Sequence, residues 1–448
     1  MQTLQIRTSE SWGPVPPMHA VNNGPVYKFA ADQRVTNIEA WRDACIPFAR
    51  NHDASFYATY GGEHTVDVNF IFPNFDADPE DPASYDFAMT DEYLRVIAAG
   101  NTRVFYRLGS KIEHGIKKYN TLPPRDFKKW AVICEHIIRH YTEGWADGFR
   151  MDIPYWEIWN EPDLDPDDSR NKRTWGGTKA QFFDLYAVTA RHLKSCFPEL
   201  KIGGPALAHD EQWAEDFLRE MQARQVAIDF FSWHIYSSET APVLQRAERI
   251  RTLLDRYGYQ NAESILNEWN YVCGWTGDEW IETKRVEKGL KGSSFIAAVM
   301  SSCYHSPVDM LMYYDARPCG MNGMFDTDFP CDCLKGYYPF RMYADLWRLP
   351  GALDVSGCGE GIYACAAAGD DTVAVMLTCY QDRADFTEKT VRLQTGDLGW
   401  EGIRAEYYLL DADHDRAKVG EALLSGGRFD AELTVPLYGT YEVLLRRA

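Results

Sequence analysis

Between about residue 24 and residue 349, short apolar runs alternate with stretches whose hydrophobic residues recur every three or four positions. The runs at 25–30, 45–51, 102–108, 154–160, 201–205, 228–236, 264–270 and 308–315 read as eight strands. In 126–141, Phe127, Trp130, Cys134, Ile137, Ile138 and Tyr141 build one apolar face, the mark of an amphipathic helix. Similar stripes occupy 181–196, 211–224, 242–257 and 285–304. Eight strands alternating with helices predict a parallel sheet closed into a barrel. A ninth strand-like run, 66–72, is assigned to an excursion over 53–90, because Pro73, Asp76, Asp78, Pro79, Asp81 and Pro82 follow it without a helix.

Beyond residue 350 the period changes to two. Val373, Val375, Leu377 and Cys379 alternate with other residues, as do Leu433, Val435 and Leu437, then Tyr441, Val443 and Leu445. Gly-rich turns separate these runs, which predicts an antiparallel β-sandwich. Residues 3–8 are expected to add an edge strand to it. The fold class is therefore α/β: a (β/α)8 TIM barrel over 13–349 with an accessory antiparallel β-sandwich over 350–448, completed by residues 1–12. The junction 345–355 has little of the composition of a flexible tether, so the two parts are expected to pack together.

Charge narrows the partners. The 46 basic residues face 66 acidic ones, a formal net charge of −20. Such a field repels nucleic acid and anionic lipid, whereas a neutral ligand is indifferent to it. No apolar run approaches the roughly 20 residues that span a bilayer, and the N-terminus lacks a basic stretch followed by an apolar one. The 11 cysteines are scattered between Cys45 and Cys379, which fits a reducing cytoplasm better than a disulfide framework.

Barrels of this kind build their sites at the C-terminal ends of the strands. The fourth predicted strand ends in Trp159-Asn160-Glu161-Pro162 and the seventh in Asn267-Glu268-Trp269-Asn270. Each puts one carboxylate at a strand exit, in an apolar context where an unpaired charge is costly. Two opposed carboxylates are what cleavage of a glycosidic bond requires. Glu157 shares the face of Trp159 and Glu161 and reads as a buried structural carboxylate.

YWEIWNEPD (155–163) followed by ILNEWN (265–270), with FARNHD (48–53) and DFFSWHIY (229–236), resembles glycoside hydrolase family 39. That family of retaining glycosidases includes β-xylosidases and α-L-iduronidases and also joins a barrel to a β-sandwich. The resemblance implies Glu161 as acid/base and Glu268 as nucleophile of a two-step hydrolysis with retention, without metal or organic cofactor. It further implies sugar contacts for His52, Asn160, His234 and Asp315, and a Tyr236 that positions the nucleophile. His52-Asp53 also reads as a capping pair, His234 as a satisfied core histidine and Asp315 as a loop anchor. In iduronidases of the family a lysine follows the strand-six histidine by two positions. Here Tyr236 stands there, as in the xylosidases, which implies a neutral glycoside substrate, β-D-xyloside first. Arg107 and Lys111 are the cations left to favour an iduronide.

Two other classes compete with this reading. A non-catalytic carbohydrate-binding barrel needs the aromatics but neither carboxylate. A metal-dependent hydrolase would use His52, His234 and carboxylates, yet the first predicted strand carries no His-x-His. Trp175, Trp275, Trp280 and Phe325 fall in loops on the site side and are candidate sugar platforms. Cys331-x-Cys333, with Cys319 and Cys303 nearby, lacks zinc-site spacing. The acidic run 76–86 lacks the spacing of a calcium loop.

Overall fold

A computed structural model describes residues 2–27, 36–53, 62–329 and 332–448. Strand β1 is Gln2–Arg7. A closed barrel follows, made of β2 (Ala20–Asn22), β3 (Phe48–Arg50), β4 (Arg103–Leu108), β5 (Tyr155–Ile158), β6 (Lys201–Leu207), β7 (Phe230–Ser237), β8 (Glu263–Tyr271) and β9 (Met310–Tyr313). All eight neighbouring pairs run parallel.

Seven of the eight strands lie where the apolar runs put them. The first does not: Ala20–Asn22 closes the barrel, while 25–27 have no regular structure and 28–30 lie outside the described residues. Ala20-Val21-Asn22 is too short a run to signal a strand against the six residues of PVYKFA at 25–30. The 66–72 run is not a strand either. A 3-10 turn over Gly62–Val66 and a helix over Val68–Ile71 occupy it, outside the barrel as expected. The helices Phe127–Thr142, Lys179–Cys196, Glu211–Ala223 and Thr240–Arg256 match their stripes. The stripe 285–304 instead spans two helices, Gly277–Glu287 and Leu290–Cys303, broken at Gly289. Asp126, Thr178 and Asp210 cap three of these helices through side-chain oxygens, Thr178 in a capping box with Gln181.

The barrel interior is layered by the period of two along its strands. Ala20, Phe48, Phe105, Tyr155, Phe230, Ile265, Met310 and Met312 form an apolar plug at the N-terminal end. Two residues further along, Asn22, Arg50, Glu157, Ser232 and Asn267 form a polar layer buried above it. The C-terminal mouth lies above that layer.

After the barrel come β10 (Gly351–Ser356), β11 (Ile362–Ala368), β12 (Thr372–Cys379), β13 (Glu388–Thr395), β14 (Gly402–Leu410), β15 (Asp415–Ser425), β16 (Asp430–Pro436) and β17 (Thr440–Arg447). With β1 they form one nine-stranded sheet in the order β15-β14-β17-β12-β11-β10-β1-β13-β16. The sheet curls over its own core of Leu4, Ile6, Val375, Leu377, Val391, Val435 and Val443. The N-terminal strand is not at an edge. It pairs antiparallel with β10 and parallel with β13, so β15 and β16 are the edges. The sheet meets the barrel through apolar residues such as Cys365, Ala374 and Met376 and through polar contacts: Tyr304 OH donates to Ala366 O at 2.7 Å, and Ser294 Oγ lies 2.9 Å from Thr378 Oγ1. Arg416 of β15 pairs with Asp345 at 2.6 Å.

Candidate active site

The polar layer is one hydrogen-bonded unit. Arg50 donates from Nε to Glu157 Oε2 at 2.6 Å, from Nη1 to Asn22 Oδ1 at 3.0 Å and to Glu268 Oε1 at 2.8 Å, and from Nη2 to Asn160 Oδ1 at 2.6 Å. Ser232 Oγ and Asn267 Nδ2 donate to Glu157 Oε1 at 2.6 and 2.5 Å. Glu157 is thus the buried structural carboxylate its face suggested. Arg50, which joins Glu157 to Glu268, is a residue the sequence reading passed over. Its position two after the inward Phe48 was the available signal.

Local backbone irregularities aim the two site carboxylates. Along β7 and β8 the register shifts after Trp233–Leu266, so that His234 pairs with Glu268. This bulge lets Asn267 and Glu268, though consecutive, both face inward, the first onto Glu157 and the second onto Arg50. At the end of β5, Trp159 and Glu161 hold φ values of 74° and 48°, a left-handed backbone that costs energy for any residue with a Cβ. Trp159 N donates to Leu108 O at 2.6 Å and Glu161 N to Ala206 O at 2.9 Å, which pins this turn to its two neighbours.

Glu161 and Glu268 converge. His234 Nδ1 lies 2.8 Å from Glu161 Oε1 and 3.5 Å from Glu268 Oε2, and the facing atoms of the three residues all lie within 4.8 Å of one another. Tyr236 OH donates to Glu268 Oε2 at 2.8 Å, and His52 Nε2 lies 3.5 Å from Oε1 of Glu268. The cavity above them holds about 580 Å³. His52, Asn160, Glu161, Tyr236, Glu268 and Tyr314 line its floor; Ile112, Leu164, Arg173, Arg246 and Trp275 are among the residues around them.

The environments push the two carboxyls apart. Burial, then the negative charges of Glu268 and Asp163, raise Glu161 to about 8. Burial acts the same way on Glu268, but the imidazoles of His234 and His52, the Arg50 guanidinium and the Tyr236 hydroxyl outweigh it and hold that carboxyl at about 2. Burial also lowers His234 to about 4. A neutral His234 brings no charge, so Arg50 is the permanent cation on Glu268 at neutral pH.

Of the sequence-predicted residues, His52, Asn160, His234 and Tyr236 gather around the pair. Asp315 does not line the cavity. It is buried behind Tyr314 and takes Arg317 N and Nε at 2.8 and 2.9 Å. Arg107 is held by Asp67 at 2.8 Å and Lys111 by Asp53 at 3.3 Å. Trp175 and Phe325 are buried in the packing, so they are not platforms. Trp275 is 55% exposed, stands edge-on to Tyr236 at 5.1 Å and stacks with Trp280 at 5.5 Å.

Comparison with known proteins bears on this arrangement. The model of the family described as Glycosyl hydrolases family 39 matches residues 63–261. That stretch, less than half of the chain, is similar to this family. A β-xylosidase of Geobacillus stearothermophilus is 32% identical over 181 residues, covering 38% of this chain and 34% of that protein. The match thus spans about a third of that relative's length. Among solved structures, a glucosidase from Croceicoccus marinus superposes with a TM-score of 0.81 at 23% identity, covering 100% of this chain and 99% of the other. A β-xylosidase from Caulobacter crescentus gives 0.71 at 14% identity, covering 100% and 99%. At such identities these two speak for the fold alone.

Two groups of described residues bring three metal-ligating atoms within 4.8 Å: Glu161, His234 and Glu268, and, between two outer helices, Glu135, His192 and Cys196. Cys303, Cys319 and Cys333 belong to neither group, and Cys331 lies outside the described residues. The same holds for 54–61 of the 53–90 excursion. Among the described residues no helix is long and apolar enough to cross a membrane.

Proposed function

We propose that the protein is a retaining glycosidase that removes a neutral sugar, β-D-xylose first among the candidates, from the end of its substrate. The observation that carries this reading is the pair Glu161 and Glu268, facing one cavity with protonation driven in opposite senses. Glu268, ionised, attacks the anomeric carbon. Glu161, neutral, gives its proton to the leaving oxygen and then, as carboxylate, takes one from the water that hydrolyses the glycosyl-enzyme. One oxygen of each carboxyl lies within 4.8 Å of the other, an approach that favours a retaining pair, whose carboxyl groups stand about 5–5.5 Å apart, over an inverting one at about 6.5–9.5 Å.

The chain's own residues supply the rest. Tyr236 and Arg50 fix both oxygens of Glu268, and Arg50 also holds Asn160 by its carbonyl oxygen, beside the sugar's expected place. His234 holds the Glu161 carboxyl in line. A neutral sugar is favoured because Arg107 and Lys111, the cations that would greet a sugar carboxylate, already hold Asp67 and Asp53. The names of the β-xylosidase relatives point the same way. The 13–349 barrel is proposed to carry the chemistry, with the sheet as its support.

A screen of 4-nitrophenyl glycosides, with Glu161→Gln and Glu268→Gln as controls, tests the reading. Release of nitrophenol from the β-D-xyloside, lost in Glu268→Gln, is expected. Hydrolysis of the α-L-iduronide alone would replace the sugar. Turnover that survives in Glu268→Gln would sink the mechanism.

A further inference from the structure

Arg246 is a charged side chain with no use in the mechanism above. It stands on the helix Thr240–Arg256 that follows β7, is 6% exposed, and lines the same cavity as Glu161 and Glu268. Its Nε and Nη2 are enclosed by protein and find no acceptor, and its guanidinium lies 5.9 Å from the Trp233 ring centre. The nearest carboxylates are committed elsewhere. Asp163 accepts Ala208 N, His209 N and Asp210 N at 2.7, 2.8 and 2.9 Å, and Glu211 takes Arg249 Nε at 2.7 Å. A buried cation without a hydrogen-bonded partner is expensive; Nη1 is the nitrogen not enclosed in this way, and a ligand anion meeting it there offsets part of that cost.

Arg246 is on the leaving-group side. The carboxylates around it are Asp163, two residues after Glu161 in the turn that follows β5, and Glu211 at the start of the helix that follows β6. Glu161 is the group that meets the leaving oxygen, so what lies beyond it, away from Glu268, meets the departing half of the substrate. Arg173 is forked onto Asp165 at 2.8 Å, which leaves Arg246 as the arginine of this wall without a carboxylate partner. Ile112 and Leu164 supply apolar surface to the same cavity, as does the exposed ring of Trp275.

We infer that the leaving-group half of the cavity receives a carboxylated aromatic aglycone, its ring against Ile112, Leu164 and Trp275 and its carboxylate on Arg246. This rests on the glycosidase reading and names the class of substrate. A cation inside a chain of net charge −20 gives such a ligand a local attraction that the surface as a whole denies it. The product is the free hydroxy-aromatic acid, released once Glu161 has protonated its oxygen.

The test compares 4-carboxyphenyl and 4-(methoxycarbonyl)phenyl glycosides of the sugar chosen by the screen, in the parent protein, Arg246→Gln and Arg246→Lys. The ratio of the two kcat/KM values within one protein cancels any general damage. That ratio should fall about tenfold or more in Arg246→Gln, in line with the loss of one charged hydrogen-bonding partner, and survive in large part in Arg246→Lys. Direct titration with 4-hydroxybenzoate should weaken in parallel. An equal ratio in parent and Arg246→Gln overturns the inference and leaves the glycosidase reading intact. Binding of 4-hydroxybenzoate that depends on Arg246, with no glycoside cleaved, keeps the anion site and removes the glycosidase. Faster cleavage of a disaccharide ending in a uronic acid than of the carboxyphenyl glycoside overturns the aromatic assignment.

Discussion

Nη1 of Arg50 lies 2.8 Å from Oε1 of Glu268, beneath the cavity floor and closed off from solvent. The same guanidinium holds Glu157 from below, so one buried cation serves two carboxylates. Replacing it with methionine leaves both without their counter-charge, a change that costs about 3–5 kcal/mol in comparable buried pairs. The catalytic signature is separate from that loss. Without Arg50 the Glu268 carboxyl rises, by about one to three units for a lost opposite charge, and the acid limb of kcat/KM should move to higher pH by that amount. Arg50→Lys should keep much of the limb's position. A melting temperature that falls while the limb stays still would make Arg50 a purely structural group.

The two glutamates should behave differently when truncated. On the proposed mechanism Glu268→Ala removes the nucleophile and should lose turnover of every substrate. Glu161→Ala loses proton transfer, commonly worth 10²–10⁴-fold, but an aryl leaving group with a low pKa needs little of that help. Activity on 2,4-dinitrophenyl glycosides should therefore persist in Glu161→Ala. Azide should speed it by entering the space of the missing carboxylate, giving a glycosyl azide of retained configuration by NMR. If the two variants exchange these behaviours, the roles are reversed.

Glu161 also couples stability to pH. Its carboxyl titrates at about 8 in the folded protein against an ordinary 4.5, so the folded state holds a proton there that the unfolded chain has released. Where the native state binds more protons, stability falls as pH rises. The contribution is fully present below about 4.5 and is lost as pH climbs through about 8. Glu161→Gln cannot ionise and escapes this loss. Its melting temperature relative to the parent should be higher at pH 8 than at pH 5, by the equivalent of about 1 kcal/mol or more. A difference that is flat across this window would contradict the raised carboxyl.

How much of this was legible beforehand depends on how long a signal each element leaves in the chain. Seven barrel strands carry runs of apolar residues long enough to read, whereas Ala20–Asn22 is three residues long and takes its place only from pairing with β3 and β9. Glu161 and Glu268 announced themselves because a carboxylate at an apolar strand exit is costly without a reason. Arg50 and Arg246 did not, because an arginine reads as a surface residue until the fold encloses it. The family resemblance implies a sugar contact for Asp315 and its position also fits a loop anchor; the turn that follows brings Arg317 back onto it, as an anchor would.

The nine-stranded sheet is integral to the barrel's support, and cutting it away should cost more than its own residues. Strand β1 belongs to the sheet although it precedes the barrel in sequence, so truncation after residue 349 leaves Leu4 and Ile6 without β10, β13 and the core they share. It also strips the barrel's outer helices of cover. Ser294 and Tyr304 lose Thr378 and Ala366, Asp345 loses Arg416, and Tyr271 at the end of β8, three residues beyond Glu268, loses the 2.8 Å bond from its hydroxyl to Asp382. Apolar area uncovered at about 25 cal/mol per Å² quickly exceeds the few kcal/mol by which most domains are stable. The 1–349 fragment should therefore be insoluble, or soluble with a lowered melting temperature and no measurable turnover. Tyr271→Phe, a milder cut at the same seam, should lower kcat modestly by loosening the strand that carries Glu268. A 1–349 fragment that stays monomeric, melts like the full chain and keeps full activity would show that the sheet is a passenger.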